Sequence, residues 1–490
     1  MNNKMIPLER ARGAIGLVLA AILVSLAACG DDDSVVPAVP TANLTAQSSS
    51  IQTIPALTPA FDPDIHDYVV KCDSTTPVQL KGDLGSGYSE QSFSLIPGRR
   101  FRFFVGSNPQ EYSVRCLPPT FPPLTVTTQG PGTPQAQWYI FAPNDTPSVT
   151  GYGSYSIITD VHGTPVWWYQ DSGGASDSKF FGSELVGWST GNGGFYIRNY
   201  AGLPITELSG DLDSHDLQPT PTGTYLAIQY VTRVCPTDCA DLSPWGGSAQ
   251  ASVIDAEIHE IDANSNILWK WRTRDHITLA ETFDAGWEPT VGDDIIHMNA
   301  VQPDGTDHVL FSARHLNAIY RINKTSGAIE WKIGGTPRAE SLTVVGDTRP
   351  TAVGVNLLSG QHDVRLWADG TVSVHDNGTI ANRPPYVMRY SIDTTNATAT
   401  VVEAISDARV PYSAFTGSAR RTQNGNWLVQ WGGLPFLTEL DSSGNPVVTI
   451  NYNLGTGFSY RAVPALPGEV AASTLRDGMD LMYAGNGEGP

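Results

Sequence analysis

Three histidines occupy one position in a repeating pattern. His215, His297 and His362 each stand eight residues before a turn glycine, Gly223, Gly305 and Gly370, and each glycine leads into a short strand-like stretch. The chain has only 10 histidines. If equivalent positions of successive β units face a common axis, three imidazoles converge on one pocket. A packing role would put histidine in most units, but Gly417 before Gly425 and Leu185 before Gly193 break the pattern. Two chemistries use such a cluster. Neutral imidazoles with one open position make a zinc or iron centre. Alternatively, one imidazole attacks as a nucleophile while its neighbours hold the transferred group. Arg314, in Ser-Ala-Arg-His, favours the second if it faces the pocket, because a fixed cation opposes a metal and suits an oxyanion. His66, His162, His259, His276, His308, His315 and His375 share no such register and receive no role.

The elements that would position these residues are strands. Turn glycines followed by apolar strand residues recur at Gly193, Gly223, Gly305, Gly370, Gly425 and Gly478. Between them come turns of the form Asp-x-x-Gly or Asn, as at Asp160, Asp262 and Asp441, with Lys324-Thr-Ser-Gly as a variant. Units of about 55 residues with some four short strands and no helical periodicity read as β-propeller blades. The expectation is an all-β chain with a six-bladed propeller over 124–490. The short interval from Gly193 to Gly223 leaves one blade misphased, and the long interval to Gly305 holds an insertion with Cys235 and Cys239. Residues 51–118 alternate apolar and polar in short runs and read as a small β-sandwich, closed by the proline-rich link Pro118 to Pro123. Pro59-Ala-Phe-Asp-Pro with Tyr68 resembles cadherin-like modules.

Composition narrows the function classes. A formal charge of −20 and the absence of any basic run exclude ordinary nucleic-acid binding. Lys4, Arg10 and Arg12 precede the apolar run Ala14 to Ala28, which reads as an export signal over 1–29. Its ending, Leu26-Ala-Ala-Cys29, resembles a lipobox, so Cys29 is the expected lipidation site and 30–50 the expected tether. The membrane would then be touched through the lipid alone, with the protein facing the periplasm or the cell surface. The other four cysteines form two local pairs, Cys72 with Cys116 and Cys235 with Cys239. No second Cys/His set completes a zinc site, so both are read as disulfides.

Together, several stretches resemble the arylsulfate sulfotransferases: Ser214-His-Asp-Leu-Gln-Pro, His297-Met-Asn-Ala-Val, Ser312-Ala-Arg-His, Gly360-Gln-His-Asp-Val-Arg, Asp376-Asn-Gly378 and Gly417-Ser-Ala-Arg420. The resemblance runs from about Gln137 onward. It implies a six-bladed propeller enzyme that moves a sulfuryl group from a phenolic sulfate ester to a phenol through a sulfohistidine, without 3'-phosphoadenylyl sulfate, cofactor or metal. It further implies that His362 is the nucleophile and that His215, His297 and Arg314 bind the sulfuryl group. Partners would be small aryl sulfates and phenols, and a homodimer stays open. His375, where relatives carry an apolar residue, bears on substrate preference. A locally positive pocket mouth lined by Arg420, Arg421 or Arg461 is expected to offset the acidic surface. The competing readings are a metal-dependent propeller lyase or oxygenase using the three histidines as ligands, and a noncatalytic binding propeller.

Overall fold

The structure, a computed structural model, describes residues 38–44, 51–73, 75–83, 88–106, 108–128, 132–144, 151–191, 193–284, 294–349, 358–455 and 457–484. The expected signal and Cys29 lie outside them. The described residues form almost only strands. Two sheets come first. One holds Thr41–Leu44, Arg100–Val105, Gln110–Leu117 and Asp67–Lys71, and the other holds Ile51–Ile54, Val78–Asp83 and Tyr88–Phe93. Phe101, Phe103, Tyr112, Val78, Leu80 and Phe93 pack between them in one core. Thr41–Leu44, within the stretch expected as a tether, pairs in parallel with Arg102 to Val105 because its alternating side chains bury Ala42 and Leu44. Cys72 and Cys116 are disulfide-bonded, with Cα atoms 5.7 Å apart, across the neighbouring parallel strands.

Six further sheets of four or five strands follow. Sheet two runs in chain order from Ala175–Phe180 to Pro204–Leu208, sheet three from Leu217–Pro219 to Ile267–Arg272, and sheet four from Met298–Asp304 to Ile329–Gly334. Sheet five runs from His362–Leu366 to Thr398–Ile405, with Thr343–Val345 added in parallel at the far edge, and sheet six starts with Ser418–Arg421. Sheet one joins distant parts of the chain: Trp138–Asn144, Tyr155–Asp160 and Pro165–Gln170 are completed by Phe458–Ala465. Sheet six borrows Thr125–Thr128 in the same way. Cys235 and Cys239 are bonded within the excursion between two strands of sheet three.

Two repeat glycines play other parts than expected. Gly193 turns between the second and third strands of sheet two, whereas Gly223, Gly305, Gly370 and Gly425 turn between first and second strands. That is the source of the short interval. Gly478 lies inside the helix Ala472–Met482, where a strand was expected. Its role is close approach, since a Cβ there would sit 2.6 Å from Tyr200. Leu475 and Met479, four residues apart on one helix face, are buried. The helix also ties the N-terminal sheets to sheet one. Asp480 pairs with Arg100 (2.6 Å) and Arg115 (3.0 Å), Arg476 pairs with Asp67 (2.7 Å), and Tyr483 accepts the Trp168 indole N–H (3.0 Å).

The six sheets meet in one buried cluster of charges. Arg461, from the strand that completes sheet one, contacts Asp177 of sheet two (2.5 Å), Asp216 at the start of sheet three (3.4 Å) and Asp363 of sheet five (3.0 Å). Its Nη2 donates to the Asn299 carbonyl of sheet four (2.7 Å). Asp363 is also paired with Arg365 (2.9 Å) and with Arg420 of sheet six (2.7 Å). Asp216 binds Lys179 of sheet two (2.7 Å), Arg365 (3.0 Å) and the Val301 N–H of sheet four (3.1 Å). A buried pair broken on one side leaves an uncompensated charge, at about 3–5 kcal/mol. Replacing Asp216 with Asn is therefore expected to lower the unfolding free energy by about that much in a urea titration.

Candidate active site

His215 stands two residues before the first strand of sheet three, His297 directly precedes that of sheet four, and His362 opens the strand His362–Leu366 of sheet five. The shared register therefore sets all three at the same end of their sheets. The next residues, Asp216 and Asp363, turn into the charge cluster. His297, Asp363 and Thr416 adopt left-handed backbone conformations (φ 50°, 60° and 58°). Each costs on the order of 1–2 kcal/mol for a residue with a Cβ. Three such residues at one locus mark a backbone held against its preference.

Every one of the three rings is held through Nδ1, but by different partners. His215 Nδ1 meets the Asp213 carboxylate at 2.5 Å, and His297 Nδ1 meets that of Asp294 at 2.5 Å. His362 Nδ1 meets the amide oxygen of Asn377 (2.8 Å) and the Gly360 carbonyl (3.0 Å), both uncharged. A carboxylate partner favours imidazolium; a neutral one leaves an imidazole. Burial, reinforced by the positive charge of Arg314, pushes the His362 pKa well below the ordinary imidazole value. Burial lowers that of His297 as well, against the pull of Asp294.

Distances bring the expected residues together. The His215 and His297 rings lie 5.0 Å apart edge to face, and Tyr460 links them to His362, with its ring 5.4 Å from His215 and 6.4 Å from His362. Tyr230 flanks His215 at 5.7 Å and His297 at 6.0 Å. The Arg314 backbone N–H donates to the His297 carbonyl (2.9 Å), and its guanidinium reaches the Ala414 carbonyl (3.0 Å) and His315 Nε2 (3.0 Å). The segment 410–417 crosses over His362, whose Nε2 accepts the Thr416 N–H at 3.2 Å. It also presents Tyr412 and Phe415, each more than two-fifths exposed.

Other expectations need correction. Arg420 and Arg461 are buried against Asp363 and do not line a pocket mouth, and Arg421 faces Glu403 at 3.5 Å. Asp363 draws in two of them because a buried carboxylate demands cations. His375 is fully buried opposite His362, edge-on to Trp431, with neither ring nitrogen hydrogen-bonded. The metal reading fails on geometry. Among the described residues, the group whose ligand atoms gather is Asp294, His297 and His315, not the three histidines in register. In that group His315 Nδ1 faces the Asp294 carbonyl and its Nε2 faces Arg314. A cavity of about 860 Å³ lies elsewhere, beside the N-terminal sheets, walled by Pro55, Pro119, Phe121 and Tyr152 and without any of these histidines.

Residues 199–453 match a family model described as arylsulfotransferase (ASST). The chain belongs to the arylsulfotransferase family. The family match spans His215, His297, Arg314 and His362, and stops short of Arg461. Family membership supports arylsulfotransferase activity in general and small aryl substrates. No curated protein matches the chain. Among solved structures, a protein of unknown function from Bacteroides caccae is similar at 12% identity and a TM-score of 0.41, covering 67% of this chain and 99% of that one. Hsv2 of Kluyveromyces lactis is similar at 9% identity and a TM-score of 0.30, covering 79% and 96%.

Sequence reasoning missed Asp213, Asp294, Asn377, His315 and Thr416. The first two carried a signal, an aspartate two or three residues before a register histidine. The others come from neighbouring segments and had none by spacing. His375 supplies a pH test. Burial pushes its pKa down to about 4. The unfolded chain therefore binds a proton that the folded one refuses. The stability this gives is whole above about pH 6.5 and drains as pH falls towards 4. Denaturant titrations are expected to show that His375→Leu removes up to about 3 kcal/mol of that pH-dependent loss.

Proposed function

We propose that the protein is a nucleotide-independent aryl sulfotransferase working through a sulfohistidine at His362. The observation that carries this reading is the unequal pairing of three imidazoles: two against carboxylates, one against an amide. His362, whose Nδ1 meets only uncharged acceptors, keeps a lone pair at Nε2 to attack with. Arg314 is suited to donate hydrogen bonds to anionic sulfuryl oxygens, with the carboxylate-backed rings of His215 and His297 beside it. In the first half-reaction the Thr416 N–H gives up Nε2 of His362, whose lone pair forms an N–S bond while the S–O bond breaks, and the aryl oxygen leaves with the electron pair as phenolate. In the second, an acceptor phenolate attacks sulfur and the N–S pair returns to Nε2. Phenols, with pKa near 10 by analogy to Tyr, leave and accept far more readily than alkyl alcohols. Tyr230, Tyr460, Tyr412 and Phe415 give an aryl ring apolar faces to lie against.

We also infer a six-bladed propeller over 124–490, carrying a small sandwich over 51–118. Support comes from six consecutive sheets whose first strands, or in sheet one the strand that completes it, share one charge cluster, and from sheet one's use of strands before and after all the others. A lipidated Cys29 and a periplasmic or surface-facing location complete the proposal; the two disulfides fit an oxidising compartment.

Intact mass tests the reaction. Protein mixed with an aryl sulfate and quenched without acceptor is expected to gain one sulfuryl group, about 80 Da, and His362→Ala to gain none while keeping its fold. An adduct in the variant, or none in the parent together with no phenol release, sinks the reading. Because His362 stays neutral well below pH 6.5, the acid limb of kcat/KM is expected below the ordinary imidazole range. Arg314→Ala should lower kcat/KM by about 10²–10³-fold, as loss of one oxyanion donor does.

A further inference from the structure

An imidazole has two nitrogens and, when neutral, one proton. Which nitrogen attacks is decided by where that proton is held. At His362 three contacts bear on this. The Gly360 carbonyl, 3.0 Å from Nδ1, can only accept. Asn377 faces the same nitrogen at 2.8 Å. Its amide orientation is fixed from the other end, because Nδ2 lies 2.9 Å from the Thr416 carbonyl, another obligate acceptor, and 2.9 Å from Ser413 Oγ. The amide oxygen therefore points at His362. On the far side of the ring the Thr416 N–H donates to Nε2 at 3.2 Å. All three agree on a proton at Nδ1 and a lone pair at Nε2.

Asn377 is itself firmly seated. The residue before it, Asp376, is fully buried and binds Arg349 and Arg383, the latter at 2.7 Å, while its other oxygen accepts the Ser359 N–H at 2.9 Å. Ser359 and Gly360 lead directly into His362. Asp376 thus fixes both the strand end that carries Asn377 and the approach to the nucleophile.

We propose that Asn377 is a positioning residue that selects Nε2 of His362 as the attacking atom and holds the segment 413–416 against the ring. This deepens the sulfuryl-transfer reading and rests on it for its rate effects. When the N–S bond forms, Nδ1 keeps its proton and the ring becomes cationic. The amide oxygen then accepts from a charged donor, so the contact strengthens as the reaction proceeds. Leucine at 377 would leave the Gly360 carbonyl as the one remaining acceptor and release the 413–416 segment. The proton would then divide between the two nitrogens. Aspartate would keep an oxygen at Nδ1 but lose the donors to Ser413 and Thr416.

The test combines a tautomer measurement with kinetics. Nitrogen-15 spectra of histidine-labelled protein, with the His362 signals assigned from His362→Ala, are expected to show Nδ1–H in the parent and in Asn377→Asp, and a mixture in Asn377→Leu. Single-turnover sulfuryl transfer to the enzyme is expected to fall by about 10²-fold or more in Asn377→Leu, with KM within a few-fold, since an imidazole in the wrong tautomer cannot attack. Asn377→Asp should recover part of the rate and move the acid limb of kcat/KM to higher pH, because its charge favours imidazolium. The other groups facing His362, namely Arg314, His297 and His375, are unchanged in both variants. An Nε2–H parent, an unchanged tautomer in Asn377→Leu, or a loss of rate that Asn377→Asp leaves unrelieved would overturn the assignment. If Asn377→Leu does not fold, an unshifted acid limb in Asn377→Asp does the same. A parent that forms no adduct refutes the sulfotransferase reading instead, while the spectra still decide the tautomer.

Discussion

The contact between Arg461 and three aspartates from three different sheets is the constraint on which the rest of the structure depends. A buried cluster of this kind contributes little net stability, because desolvation cancels most of the Coulomb gain. Its effect is on arrangement. Apolar sheet faces tolerate sliding against one another, whereas a guanidinium surrounded by Asp177, Asp216, Asp363 and the Asn299 carbonyl has one geometry that satisfies it. Asp216 and Asp363 each follow a site histidine directly. Fixing the aspartates below therefore fixes His215 and His362 above. The charge cluster acts as the base plate of the candidate site, although it touches no substrate.

The site makes three identical side chains chemically different through their second nitrogen. Asp213 and Asp294 come from the chain just before the histidines they hold, so those pairs form locally. Asn377 comes from the adjacent strand, whose residue His375 pairs with His362. His362 thus has its partner assembled by tertiary structure, whereas His215 and His297 carry theirs with them.

Much of this was legible in the sequence, and the reasons differ by residue. The register of His215, His297 and His362 survived because strands keep a period of two and turns a fixed length, so counting residues from a glycine also counts positions in space. Gly478 misled the same count. Glycine serves tight turns and close helix packing alike, and sequence does not separate them. Arg420 and Arg461 were read as surface cations because their partners lie far away in the chain, Asp177 some 284 residues from Arg461. The strand Thr41–Leu44 was missed because four residues with only two apolar positions carry little periodicity. Thr416 contributes a backbone N–H, a group every residue but proline has, and no pattern of side chains announces it.

Sheet one has a consequence for the order in which the molecule can become active. Arg461 comes later in the chain than every other member of the charge cluster, and it lies in the strand that completes the sheet begun at Trp138. Until that strand is in place, Asp177, Asp216 and Asp363 lack the cation they share. The histidines cannot be locked in register until the last strand threads back beside the first. Arylsulfotransferase activity thereby depends on the strand Phe458–Ala465, and a polypeptide cut short before it would carry the three histidines without the arrangement that holds them.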